Sequence, residues 1–211
     1  MDLTLHILEG CCFGFIGPNG EGKSTTIRTL LGLLSPTAGS AKVLGLDCVR
    51  EKILAQVGYM PSEAMFYPEM WVAEVIRLSA DLRKMDCRAQ AAALCKTLEL
   101  DVRKRIRELS LGNRKKVSIV CAMQHRPKLY SLDEPTSGLD PLVQRAFWEE
   151  LEQRRREDAT VFLSSHVLYE VQRYCSRAAI IREGRLVVEG TTAELDIENR
   201  FFDYYEGRMP Q

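Results

Sequence analysis

The stretch Gly17-Pro18-Asn19-Gly20-Glu21-Gly22-Lys23-Ser24 satisfies the spacing Gly-x-x-x-x-Gly-Lys-Ser/Thr. Residues 11–16 before it are almost wholly apolar and predict a buried strand. Residues 24–34 after it carry helical spacing through Ile27, Leu30, Leu31 and Leu34, with Pro36 and Gly39 as the stop. A glycine-rich turn in that setting lets successive backbone N–H groups close around a phosphate. The helix N-terminus adds partial positive charge, Lys23 can reach terminal phosphates, and the Ser24 hydroxyl suits a Mg²⁺ ion. The competing reading is a turn that only caps a helix. The pattern indicates a nucleotide phosphate without indicating which reaction.

Outward from this loop, residues 3–8 alternate apolar and polar side chains and predict a half-buried strand, with short strands at 41–44 and 56–60. From Trp71 to about Leu100 the spacing turns helical. Another helix starts near Ser110 and carries Val117, Ile119, Val120 and Met123 inward. Strands at 128–132, 159–164, 178–182 and 186–189 are interleaved with helices at 141–155 and 167–174. That alternation predicts an α/β fold with a mostly parallel sheet, a P-loop core of residues 1–61 and 127–211. The helical middle, about 62–126, reads as a sub-domain inserted on one edge of this single domain, 1–211.

The expected strand at 128–132 delivers Asp133 and Glu134 to its C-terminal end, the side of an open parallel sheet on which ligands sit. Asp133 is placed to hold Mg²⁺ through water. Glu134 is placed to take a proton from a water attacking the γ-phosphate. The plainer alternative is a pair of solvated loop acids before Pro135.

Glu134 runs into Pro135-Thr136-Ser137-Gly138-Leu139-Asp140, Leu109-Ser110-Leu111-Gly112-Asn113 stands upstream, and His166 follows a strand and two serines. This ordered set resembles the nucleotide-binding domain of ATP-binding cassette (ABC) transporters over nearly the whole chain. A GTPase is disfavoured, because no Asn-Lys-x-Asp run occurs. The resemblance implies an ATPase with ATP and Mg²⁺ as cofactors. It assigns Gly17, Pro18, Asn19, Gly20, Gly22, Lys23, Ser24 and Thr25 to the ATP phosphates, and Ser24, Asp133 and Ser62 to the metal. Lys23, Glu134 and His166 become catalytic, with His166 contacting the γ-phosphate and the attacking water. Ser110, Gly112 and Asn113 become a signature motif facing the ATP of a second ATPase subunit, and Asp140 belongs to a loop passing between the two subunits. The implied partners are that second subunit, identical or paralogous, and membrane-spanning subunits on a separate chain, with no nucleic acid. The implied location is cytoplasmic, peripheral at the inner face of the cell membrane. Ser62 and the Leu-Ser-Leu-Gly-Asn signature are similar to exporters of drug or peptide-antibiotic type. The alternative is a soluble or catalytically impaired ABC-type nucleotide-binding module.

Four departures from the family pattern carry expectations. Ser62 stands where a glutamine is usual and is shorter. Leu111 and Asn113 replace the commonest glycine and glutamine of the signature. Glu21 sits inside the phosphate loop, where it would repel a triphosphate if it pointed inward, so it is expected to face solvent. The family also places an opening strand and an adenine-stacking aromatic before a segment like residues 3–8. Neither precedes that segment here, which implies either a start upstream of Met1 or an unpaired sheet edge and a weaker hold on ATP.

Phe66, Tyr67, Met70 and Trp71 either receive a helix of the membrane subunit or pack the helical sub-domain, and Phe201-Phe202-Asp203-Tyr204-Tyr205 docks on the domain or on a partner. His6 and His125 lack the setting of His166 and read as structural. The 211 residues hold 29 basic and 29 acidic side chains, so no overall charge marks the chain for nucleic acid or an anionic membrane. No apolar run is long enough to span a bilayer, and the start Met1-Asp2-Leu3-Thr4 lacks the basic residues of a signal peptide. Seven cysteines without a Cys-x-x-Cys pair fit neither a disulfide framework nor a zinc site.

Overall fold

The apolar run ahead of Gly17 forms strand β1 (Cys12–Ile16), buried along its whole length. The computed structural model describes residues 3–48 and 51–206, so the opening Met1-Asp2 lies outside them. In chain order there follow α1 (Lys23–Leu30), β2 (Lys42–Val43), β3 (Leu46–Asp47), α2 (Glu51–Leu54), β4 (Val57–Met60), α3 (Val72–Asp81) and α4 (Arg88–Thr97). A 3₁₀ turn at Ile106–Glu108 leads into α5 (Leu111–Met123). The rest alternates: β5 (Leu129–Asp133), α6 (Pro141–Arg156), β6 (Thr160–Ser165), α7 (Leu168–Tyr174), β7 (Arg177–Arg182), β8 (Arg185–Thr191), α8 (Thr192–Leu195) and α9 (Ile197–Glu206).

The main sheet has the order β4-β5-β6-β1-β7-β8, parallel except for the antiparallel β7–β8 pair. Strand β1 is apolar on both faces because both are covered. Phe13 and Phe15 join Ile27, Leu31 and Phe162 on one side. Cys12 and Ile16 join the large cluster of α3–α7 and α9 on the other. Register sets the site: Ile16 lies opposite Ser165, and Asp133 opposite Ser164. The loops leaving β1, β5 and β6 therefore emerge side by side.

Several expectations change. Residues 3–8 keep the alternating burial, with Leu3, Leu5 and Ile7 packed on the α1 side, yet form no strand. Periodicity reports which side chains are covered, and a strand also needs a ladder partner, which this segment lacks among the described residues. Helix α1 ends at Leu30 rather than near Leu34, and the stop is Gly32, at φ 69°. The N–H of Gly32 reaches Thr29 O at 3.0 Å and that of Leu33 reaches Arg28 O at 2.9 Å, a Schellman closure. Leu33 and Leu34 are consequently exposed. The helical stretch after Trp71 is two helices, broken where Lys84 takes φ 55°.

The C-terminal aromatic run docks on the domain itself. Phe201 is buried and stacks on Tyr205. The aromatics before α3 divide: Phe66 and Met70 pack on the core, while Tyr67 and Trp71 are exposed, Trp71 beneath the Arg105 guanidinium. The other tryptophan, Trp148, is buried and stacks on Tyr174 at 4.1 Å. All seven cysteines are free, four of them buried.

Candidate functional site

Strand β1 delivers the loop, and Gly20 and Gly22 sit at φ 91° and 97°, a left-handed backbone that a side chain would strain. Gly17 has no room for a side chain either, since a Cβ would lie 2.9 Å from Ile181 O. Lys23 opens α1 with its ammonium turned back into the loop, donating to Gly17 O at 2.6 Å and Pro18 O at 3.0 Å. Asn19, Gly20, Gly22, Lys23, Ser24, Thr25, Ser62, Asp133 and Glu134 line one cleft of about 210 Å³. Nine residues expected at the site, Ser62 among them, thus converge from three separate segments.

Asp133 ends β5 fully buried and receives the Ser164 hydroxyl on Oδ1. Its Oδ2 has no partner among the described residues. A buried, unpaired carboxylate oxygen is costly unless a cation meets it, and Ser24 faces the same cleft, so the residues fit a Mg²⁺ ion. Glu134 is left-handed at φ 49°, a conformation costing about 1–2 kcal/mol for a residue with a Cβ. It is held there by its N–H on Ser164 O and by two side-chain partners. His166 Nδ1 lies 2.8 Å from Oε2, and Lys23 Nζ lies 3.8 Å from Oε1. The His166 side chain is half exposed.

Ser110, Gly112, Asn113 and Asp140 lie elsewhere. Ser110 is the N-cap of α5, accepting from Asn113 N–H at 3.3 Å. Leu111 simply enters the helix, so its replacement of glycine needs no special backbone. Gly112 does need to be small, because a Cβ would approach Gly138 O to 2.7 Å. Asp140 caps α6 through the N–H groups of Leu142 and Val143, so its carboxylate is engaged by its own helix. Glu21 points away from the cleft, as expected, and is in addition held there by Tyr205 and by the Glu183 N–H. His125 is a buried structural residue, its pKa held down at about 4 by burial.

Two residues escaped the sequence reading. Lys115, fully buried, donates to Ser62 O at 2.8 Å. Burial lowers its pKa, while Glu134 and Asp133 draw it the other way. The available signal was its spacing of four from Ile119 and eight from Met123, on the buried face of α5. Glu170, buried one turn beyond His166, accepts from Thr136 Oγ1 at 2.9 Å, and burial raises its pKa.

This geometry defines a class first, a parallel α/β protein with a phosphate loop, a buried metal-type aspartate and an adjoining Glu–His pair. Residues 1–137 match the ABC transporter family, and the chain belongs to it, as an ATP-binding domain. The probable multidrug ABC transporter ATP-binding protein YbhF of Escherichia coli is 34% identical over 93% of this chain. A Nod factor export ATP-binding protein I of Paraburkholderia xenovorans is 34% identical over 92%. The chain spans 35% of the former and 66% of the latter. A solved ATP-binding subunit of an ABC transporter superposes with TM-score 0.85 at 32% identity, covering 95% of this chain and 85% of its own. A dimeric bacterial cassette superposes at TM-score 0.82 and 22% identity, a likeness of fold.

Proposed function

We propose that this chain hydrolyses ATP to drive substrate movement through membrane-spanning subunits carried on a separate chain, as an exporter. The observation that carries the reading is Glu134, fixed between Lys23 and His166 beside the buried Asp133. The N–H groups of residues 19–25 and the Lys23 ammonium bind the phosphates. Ser24 and Asp133, with Ser62 behind them, hold Mg²⁺, which when bound neutralises charge on the phosphate oxygens. Glu134 accepts the proton of the attacking water at a carboxylate oxygen, and His166 orients that carboxylate through Nδ1 and faces the γ-phosphate.

Ser110, Gly112, Asn113 and Asp140 serve the ATP of a second subunit, identical or paralogous, so two chains close around the nucleotide. The dimer recorded for the similar cassette supports this pairing. Residues 62–126 act as a sub-domain that meets the membrane partner, with exposed Met65, Tyr67 and Trp71 as anchors. No helix among the described residues is long and apolar enough to cross a membrane. The proposed place is the inner face of the cell membrane, reached through partners. The exporter direction rests on the names of the similar multidrug and Nod factor export proteins.

The test is Glu134→Gln with ATP and Mg²⁺. Turnover is expected to vanish while the protein accumulates as a dimer by light scattering. A persistent monomer would count against the two-chain site, and a wild type that binds ATP without turnover beside its membrane partner would leave only a binding module.

A further inference from the structure

A carboxylate inside a phosphate loop is electrostatically misplaced, and the contacts of Glu21 show where its charge is kept. One oxygen accepts from Tyr205 Oη at 2.7 Å, and the other accepts the N–H of Glu183, in the turn between β7 and β8. The Glu21 carbonyl accepts from Gly184 N–H at 3.2 Å. Arg182 donates to the Tyr205 carbonyl and lies 5.9 Å over its ring. The Tyr205 bond, then the Glu183 N–H, holds the Glu21 carboxyl below its usual range, so it is ionised at neutral pH. Gly20 and Gly22 line the cleft on either side, while Glu21 does not.

We propose that the end of α9 is a positioning element for the nucleotide: Tyr205, with the β7–β8 turn, parks the Glu21 carboxylate on the outer side of the phosphate loop. The inference rests on the phosphate-binding reading of that loop. Tyr205 touches no nucleotide and acts through Glu21. Withdrawal of α9 by a partner frees a negative charge beside the triphosphate and loosens the loop. The C-terminal helix is thereby coupled to ATP affinity.

The test is a double-mutant cycle read by titration of a fluorescent ATP analogue with Mg²⁺ on the full chain. Tyr205→Phe keeps the ring and frees Glu21, and is expected to weaken binding roughly three- to tenfold. In a Glu21→Ala background the same change should have no effect, because no carboxylate is left to restrain. The deficit of Tyr205→Phe should also shrink at high salt, as a freed surface charge is screened and a packing defect is not. Equal losses in both backgrounds, no loss in either, or affinities that follow the melting temperatures of the four proteins would overturn the proposal. A wild type unable to bind the analogue would remove the phosphate-loop reading, and this one with it.

Discussion

The cleft around Lys23 and the signature face around Ser110, the two surfaces proposed to act on phosphate, are built in opposite ways. In the cleft, Lys23 and Asp133 are buried, and Lys23, Glu134, His166, Asp133 and Ser164 form two short bonded chains. On the signature face Ser110 is exposed and caps its own helix, Asp140 caps α6, and Gly112 is pressed against Gly138 O. Charges buried in one chain must satisfy one another as that chain folds. Groups that point outward need only a rigid mount, which helix N-termini and a close glycine contact supply. The contrast fits a site assembled across two copies, one half preorganised and the other presented.

The largest effect expected is on the preorganised half. Glu134→Gln should lower turnover by about 10²–10⁴-fold, with ATP affinity nearly unchanged. Turnover above a tenth of wild type would detach Glu134 from the chemistry and dissolve the contrast. Next comes pH, read at the end of the helix that Ser110 begins. The folded pKa of His125, about 4, lies below the ordinary value near 6.5, so the unfolded chain takes up a proton that the native chain refuses. Stability should therefore be full above pH 6.5, fall by about 3 kcal/mol as the pH drops toward 4, and level off below that. His125→Gln should flatten this slope in pH-dependent denaturant melts.

A smaller change separates the two regions directly. Gly112→Ala forces a shift at Gly138, and should reduce turnover by about tenfold while the isolated chain binds ATP as before. Loss of ATP binding in that variant would break the division. The smallest is Asp140→Ala, which removes a helix cap worth about 1 kcal/mol and should lower the melting temperature by about 2–4 °C.

Much of this was legible in the sequence because the decisive signals are local. The apolar run into Gly17, the strand into Asp133 and the cap at Ser110 each declare themselves within ten residues. What stayed hidden depends on residues far apart in the chain. Residues 3–8 carry a strand's periodicity, but pairing is decided by what lies alongside. Lys115 reads as part of a basic run until α5 turns it toward Ser62, 53 residues away in sequence. The fate of Glu21 was invisible for the same reason: its partner Tyr205 is 184 positions distant.

The two tryptophans lie on opposite sides of this division of labour. Trp71 stands exposed in the helical layer under Arg105, and Trp148 is enclosed against Tyr174 behind the sheet. Iodide or acrylamide should quench the first and spare the second. The protein thus carries a built-in optical label on the surface proposed for the membrane partner, with an internal standard that docking leaves dark to the quencher.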